Sequence, residues 1–568
     1  MCIMEKYYAG CGGLSQARLA ELERRQTVAS ACELPLLPIR PLVKAKDQVF
    51  HIKYQPISDF LKEQKINNYL LVTAPGAYLA TLDQLEGTNY TCIYVTDTKE
   101  DTLCAIQTLY DGTVAHQQKD ASLPKHLVQQ TASLADRTFE AVVALGGGVA
   151  SDAGKYFAEN IIHAPLYSVP TALSVNASFC YKAAIRMKDP YKSGAYNVVY
   201  KFYGLPQAIC IDLDVITGSK LLQRAQAGGE DSAIAGRQWN MLRELNIAGA
   251  GDLLSILTAT FDWRINSLVA RGMSVPDPID HRETTILEKP FSQDVCEGAK
   301  ELLSLLAEHA DDIRNGRKAG AMFLARAYHW IAEQSWIMQH TMWESASEHG
   351  MFDHFENVAG TELTHGQVVA LSVYFMSLLQ ENEHERALSM IQRLGLDISL
   401  ADLAINPRTN YKIAPITLYD CLADLKAYID EIAYRYTIIS AKPITKDWVL
   451  TALDKYYTDI YGTLEEQCQI PASGADAQVC AGEKARLDKI IQRVRAGRAD
   501  HQAAMEQAAK AEQAARTVRK AELDLPELTT QRYMALCQEI CQAKADAYAD
   551  YLRNRHQVEL AAQYDSCQ

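Results

Sequence analysis

The sequence lacks a CxxC pair: its 14 cysteines are scattered along 568 residues. A chain of this length can bury enough surface to fold without disulfides, so these cysteines are expected as reduced thiols. Cys537 and Cys541 sit four apart on an expected helix and are read as incidental rather than as a metal pair. No apolar run is long enough to span a bilayer. The opening Met1-Cys2-Ile3-Met4-Glu5-Lys6-Tyr7-Tyr8 has no basic stretch followed by an apolar one, so no secretory signal is expected, and the expected location is cytoplasmic. Positive charge is also short. Lys and Arg number 56 against 70 Asp and Glu, a formal net charge of −14. That disfavours nucleic acid or an anionic membrane surface as the main partner, and it means that an anionic substrate needs a local basic pocket. No internal repeat is visible.

What remains is an ordinary globular composition, 48% apolar and 22% charged, spread over several domains. Residues 1–48 have no clear fold signature beyond a short helical stretch at Ser15–Arg25 and a proline-marked linker, and read as an N-terminal extension. Residues 49–217 alternate short apolar strands with helices. Strands are expected at Tyr69–Thr73, Thr91–Thr96, Phe139–Leu145, Leu166–Val169 and Ala208–Ile211. This pattern predicts an α/β domain with a parallel, Rossmann-like sheet. Residues 218–458 carry helical spacing and predict an all-helical second domain, in which Ser219–Leu245 reads as a helical hairpin. Residues 459–568, rich in Ala, Lys, Glu, Gln and Arg, predict a helical C-terminal extension whose expected role is packing or homo-oligomerisation.

The α/β domain is organised around Ala141–Lys155, where an apolar run stops at Gly146-Gly147-Gly148 and a helix begins near Ser151. Glycines let backbone approach a ligand closely, and the free N–H groups of a helix start favour an anion, a nucleotide phosphate above all. Three fragments of the helical part add metal-ligand chemistry. They are Gly249-Ala250-Gly251-Asp252, with Asp252 expected at a helix start, Ser347-Glu348-His349 followed by His354, and Thr364-His365-Gly366. Asp, His and His make a three-ligand set for a divalent metal with a position left open. Each also has an ordinary reading, as a helix cap or a surface histidine, and no local spacing joins the three. Asp231, in Gly228-Gly229-Glu230-Asp231, is a second acidic candidate.

Taken together the fragments resemble the iron-containing alcohol dehydrogenase superfamily, in its glycerol-1-phosphate dehydrogenase-like branch. Gly146-Gly147-Gly148 with Asp152 and Lys155 is similar to the family's GGGxxxDxxK, and Val169–Ser174 to its second nucleotide-contacting loop, which brings in Thr171 and Ser174. Gly249–Ser255 with Trp263, Ser347-Glu348-His349, His365-Gly366 and Arg435-Tyr436-Thr437 follow in the family's order. The resemblance implies a dehydroquinate synthase-like two-domain architecture with a cofactor cleft. It implies NAD or NADP on the glycine turn with Asp152, Thr171 and Ser174, and one divalent ion, zinc or iron, on Asp252, His349 and His365. His354 and Lys155 are implied near the reacting groups. The implied activity is hydride transfer between dihydroxyacetone phosphate and sn-glycerol 1-phosphate, that is, an oxidoreductase acting on a small phosphorylated substrate. A dehydroquinate synthase-like cyclase and a catalytically weak binding protein are the alternatives. The family's aspartate after Pro-Thr-x-x-Ser-x is replaced here by Asn176, and a neutral amide cannot act as a carboxylate. Lys182 and Arg186 are further basic residues expected near the cleft.

Overall fold

The computed structural model describes residues 51–110, 137–188, 196–227, 232–270, 291–338, 340–359, 363–399, 415–432, 435–445, most of 448–460, 513–520 and a few scattered positions between 503 and 547. The N-terminal extension, Asp231, Cys537 and Cys541 lie outside the described residues. The chain divides into two compact units, 1–452 and 453–568. In the second, residues 513–520 are helical and Arg519 pairs with Glu539 at 2.9 Å.

Within the first unit the strands are β1 (Ile52–Tyr54), β2 (Tyr69–Thr73), β3 (Tyr90–Tyr94), β4 (Ala141–Gly146), β5 (Leu166–Pro170), β6 (Lys182–Lys188), β7 (Tyr196–Phe202) and β8 (Ala208–Ile211). Six of them make one sheet in the order β1-β8-β5-β4-β2-β3. Every pairing in it is parallel. The two central strands, Tyr-Leu-Leu-Val-Thr and Ala-Val-Val-Ala-Leu-Gly, are buried throughout, as continuous apolar runs are when helices cover both faces. The pleat sorts their side chains. Leu70, Val72, Val142 and Ala144 enter one core with Ala150, Ala153 and Phe157, while Tyr69, Leu71, Val143 and Leu145 enter the other with Ile57, Phe60 and Leu61. Each fully buried Val, Leu or Phe contributes about 1.5–3 kcal/mol relative to exposure. The observed strands match the expected sheet. The edge strand β1 and the antiparallel β6–β7 hairpin were not foreseen.

The helices around the site are α1 (Ile57–Glu63), α2 (Gly148–Phe157), α3 (Ser219–Gln226), α4 (Ser232–Leu253), α5 (Ser255–Ala270), α6 (Lys318–Met338), α7 (Ser347–Ala359), α8 (His365–Gln380) and α9 (Pro415–Ile432). From Leu213 onward every element named in the first unit is a helix. Helix α8 is buried on nearly every side, which makes it the centre of the helical layer.

Glycines set how closely these elements meet. A Cβ on Gly154 would lie 2.5 Å from Ala144 Cβ, so α2 presses directly on β4. Helix α4 passes still closer to two neighbours. A Cβ on Gly249 would fall 1.7 Å from the carbonyl of Leu173, and one on Gly251 would fall 2.3 Å from the carbonyl of Gly366. Asp252 is consequently not a helix-start residue. It sits in the last turn of a 22-residue helix whose glycines serve backbone approach rather than helix termination.

A candidate metal and nucleotide cleft

A cleft of about 1020 Å³ opens between the carboxyl ends of the sheet strands and the helical layer. Ligands of open α/β sheets bind at this end of the strands. One wall is the glycine turn. Gly146 has φ +151°, a region open to glycine, and a Cβ there would meet Ala150 at 2.8 Å. Gly147 precedes α2 in extended conformation, Gly148 begins the helix, and both line the cleft. The first-turn N–H groups of α2 therefore face this space without helical partners. Thr171 and Ser174 line it too, on the loop after β5, which is tied to the turn through Thr171 N donating to Gly146 O at 3.1 Å.

Helix α4 is fixed against that loop. Asn246 accepts from Leu173 N at 2.8 Å and donates to Ile216 O at 2.8 Å, while Tyr328 donates to Gly249 O at 2.9 Å. The crossing with α8 is similarly tight, since a Cβ on Gly366 would lie 1.8 Å from Ala248 O. It brings Asp252 to His365, the first residue of α8, with Asp252 Oδ1 at 3.1 Å from Nε2. The same oxygen lies 3.4 Å from His349 Nε2, on the first turn of α7. One donor atom from each of the three residues falls within 4.8 Å of the others.

A fully buried carboxylate stands behind them. Glu348 Oε1 meets His349 Nδ1 at 2.9 Å and accepts from Ala346 N at 2.6 Å, and its Oε2 accepts from Thr258 at 2.8 Å. This leaves His349 Nε2 aimed at the cluster, the arrangement by which carboxylates orient metal-binding imidazoles. Burial pushes the His349 imidazole down, but Asp252 and Glu348 on its two nitrogens outweigh this and raise it to about 10. Burial likewise opposes ionisation of Asp252, and the two histidines more than offset it, holding the carboxyl well below its usual range. One carboxylate oxygen and two imidazole nitrogens, converged and backed by a carboxylate, fit a divalent zinc- or iron-like ion.

Two sequence candidates are not brought to this point. Lys155 is 1% exposed, and its ammonium donates to Asp152 Oδ1 at 3.0 Å and to the carbonyls of Ala177 and Lys182 at 2.6 and 2.5 Å. It stands behind the cleft wall, locking α2 to the start of β6. Asp152 does line the cleft, and its Oδ2 accepts from Ala184 N at 3.0 Å. His354 stacks on Tyr428 of α9 at 4.3 Å between centroids, with Nε2 3.8 Å from Asp424, and takes no part in the cleft wall. The geometry gives both residues structural places, because each faces a neighbouring element instead of the open space.

Lys182 and Arg186, expected near the cleft, do line it, as does Arg435, whereas Glu344 was not foreseen. Glu344 is buried in the wall, where it accepts from Ser335 at 3.1 Å and from Asn176 Nδ2 at 3.4 Å. Arg186 of β6 reaches α7 and pairs with Glu356 at 2.9 Å. Arg435 donates to Thr341 at 3.0 Å and to the carbonyl of Ser345. Lys182 also lines the cleft, 3.5 Å from Thr341 Oγ1.

Comparison with known proteins bears on the α/β part of the chain. The sequence pattern of the iron-containing alcohol dehydrogenase family matches residues 55–219, which hold the sheet and the glycine turn. That match covers the α/β part of the chain, and the likeness to this family is one of that part. It is similar to a glycerol-1-phosphate dehydrogenase [NAD(P)+] of Halalkalibacterium halodurans, 23% identical over 275 residues, covering 48% of this chain and 57% of the relative. It is also similar to one of Aeropyrum pernix, 25% identical over 272 residues, covering 47% and 62%. The chain thus spans about three fifths of the length of these curated relatives. Among solved structures it resembles a probable glycerol dehydrogenase from Sinorhizobium meliloti 1021, with 15% identity and TM-score 0.45, covering 72% of this chain and 95% of that one. Among the described residues, no helix is long and apolar enough to cross a membrane.

Proposed function

We propose that this chain is a metal-dependent, NAD(P)-linked dehydrogenase that interconverts dihydroxyacetone phosphate and sn-glycerol 1-phosphate. The observation that carries the proposal is the convergence of Asp252, His349 and His365 in the cleft that also holds the glycine turn. Asp252, His349 and His365 would hold the ion, and Gly147, Gly148 and the start of α2, with Thr171, Ser174 and Asp152 nearby, would hold the dinucleotide. When bound, the ion supplies Lewis acidity toward a substrate oxygen and the nicotinamide supplies or accepts hydride.

The chain's own residues do the rest. The free N–H groups of α2 bind and orient a diphosphate without a side-chain cation. Glu348 holds the His349 ring in one orientation and keeps Nε2 toward the cluster. The apolar residues among the lining, Leu253, Ile331 and Phe352, exclude water from the inner end, which strengthens every polar contact made there. Lys182 and Arg435 put positive charge on one wall of a chain that is acidic overall, as an anionic substrate requires.

The test is an assay of zinc-loaded protein with dihydroxyacetone phosphate and NADH or NADPH. Net oxidation of many equivalents of nucleotide is expected. Stoichiometric oxidation without turnover would favour a cyclase that uses the nucleotide transiently, and the absence of bound metal after loading would overturn the dehydrogenase reading.

A further inference from the structure

Glu344 has chemistry that the metal cluster and the glycine turn do not use. It lines the cleft, yet it is only 8% exposed. Its carboxyl meets two neutral side chains, the Ser335 hydroxyl at 3.1 Å and the Asn176 amide at 3.4 Å. Two contacts leave part of a carboxyl group's acceptor capacity unused, and burying such a group is costly unless something further engages it. Its backbone is held rigidly. The N–H donates to Thr341 O at 3.1 Å, and the carbonyl accepts from Ser255 Oγ at 2.6 Å. Ser255 begins α5, three residues after Asp252, so the wall that carries Glu344 is fastened beside the metal cluster. The same turn presents Thr341, on which Lys182 and Arg435 converge. A carboxyl group and two cations on one wall match a small molecule bearing both a hydroxyl and an anionic group.

Asn176 makes sense beside this carboxyl. An aspartate at 176 would set a second carboxylate against Glu344, with like charges about 3–4 Å apart in a dry site. The amide instead donates to Glu344.

We propose that Glu344 is a substrate-contacting residue of the cleft, that it binds a hydroxyl of the phosphorylated polyol or ketone, and that Asn176 orients it. This assignment rests on the dehydrogenase reading and deepens it. The pair divides the work as one acceptor and one donor, so exchanging the two chemistries should keep the function where changing either alone should not.

The test measures binding of dihydroxyacetone phosphate to the zinc-loaded, NAD-saturated full chain by calorimetry, alongside kcat and KM. Glu344→Ala should weaken binding and raise KM by about tenfold or more, the scale of one hydrogen bond to a charged group. Asn176→Asp should lose a similar factor. The double variant Asn176→Asp with Glu344→Gln should recover to within about threefold of wild type, because one carboxyl and one amide again face each other. Zinc content per chain should be unchanged in all three, which separates loss of substrate contact from loss of the ion. Unchanged binding in Glu344→Ala, or a double variant no better than either single one, overturns the inference while leaving an active wild type and its dehydrogenase reading intact. A zinc-loaded wild type that neither binds nor reduces the ketone overturns both.

Discussion

Replacing Gly366 with alanine would place a methyl carbon 1.8 Å from the carbonyl oxygen of Ala248, 2.6 Å from its carbon and 3.0 Å from Asp252 N. All three are backbone atoms of α4, so no rotamer change relieves the clash. Ordinary contact distances return only if α4 and α8 separate by on the order of 1 Å or more. Overpacking of this kind costs about 1–3 kcal/mol or more. The same displacement acts on the site, because His365 precedes Gly366 and its Nε2 lies 3.1 Å from Asp252 Oδ1. Metal–ligand distances tolerate about 0.2 Å, so the expected loss in zinc affinity is at least about a hundredfold. Equilibrium dialysis against zinc and scanning calorimetry measure the two effects in one preparation. Gly236→Ala is the control. It lies in α4, the helix that Gly366 meets, its Cβ would meet only Ala225 Cβ at 3.7 Å, and alanine there should gain up to about 1 kcal/mol. A Gly366→Ala protein with wild-type melting temperature and full zinc stoichiometry would refute the argument that this crossing builds the site.

Other outcomes follow from the same geometry. His365→Ala should reduce zinc affinity and turnover by more than about a hundredfold while the melting temperature moves only a few degrees, since the His365 side chain is 25% exposed; retained turnover would remove His365 from the site. Lys155→Met should destabilise by about 3–5 kcal/mol, because it leaves the Asp152 carboxylate and the carbonyls of Ala177 and Lys182 buried without their donor; a melting temperature near wild type would contradict this. Asp262 accepts from Ser347 N, Ile438 N and Gln380, while burial and the Glu348 charge push its carboxyl up to about 7. A carboxyl raised in the folded state holds its proton more tightly than in the unfolded chain. Its contribution is therefore present in full below about pH 4 and is lost as the pH rises through 7. Asp262→Asn should cost about 1–3 kcal/mol at low pH, and the gap from wild type should narrow between pH 4 and 7; parallel melting curves across that window would exclude the titration.

The central strands were legible because strands covered on both faces read as unbroken apolar runs, as β2 and β4 do. The β6–β7 hairpin was not: Ala183 and Ile185 are buried, while Lys182, Ala184 and Arg186 line the cleft, so its charged positions read as a basic stretch rather than as the second face of a strand. The glycines before Asp252 misled for a different reason. Glycine in a helical pattern reads as punctuation, whereas Gly249 and Gly251 lie inside a long helix where backbone meets backbone. The identities of the three cluster residues could be read from the chain, but their meeting could not, since it depends on helices 97 and 113 residues apart in sequence crossing at glycine. Glu344 carried no signal of its own. An acid between Trp343 and Ser345 becomes a cleft carboxyl only through the turn that begins at Thr341.

The helix crossing at Gly251 and Gly366 has a further consequence. Small zinc domains fold only around their ion, so the metal is part of their scaffold. Here Asp252 and His365 are held by backbone packed on backbone, and His349 by Glu348. A divalent ion bound as proposed would then be a guest of a scaffold made by the protein's own contacts, and stripping it with a chelator is expected to leave the chain folded and able to take up an ion again.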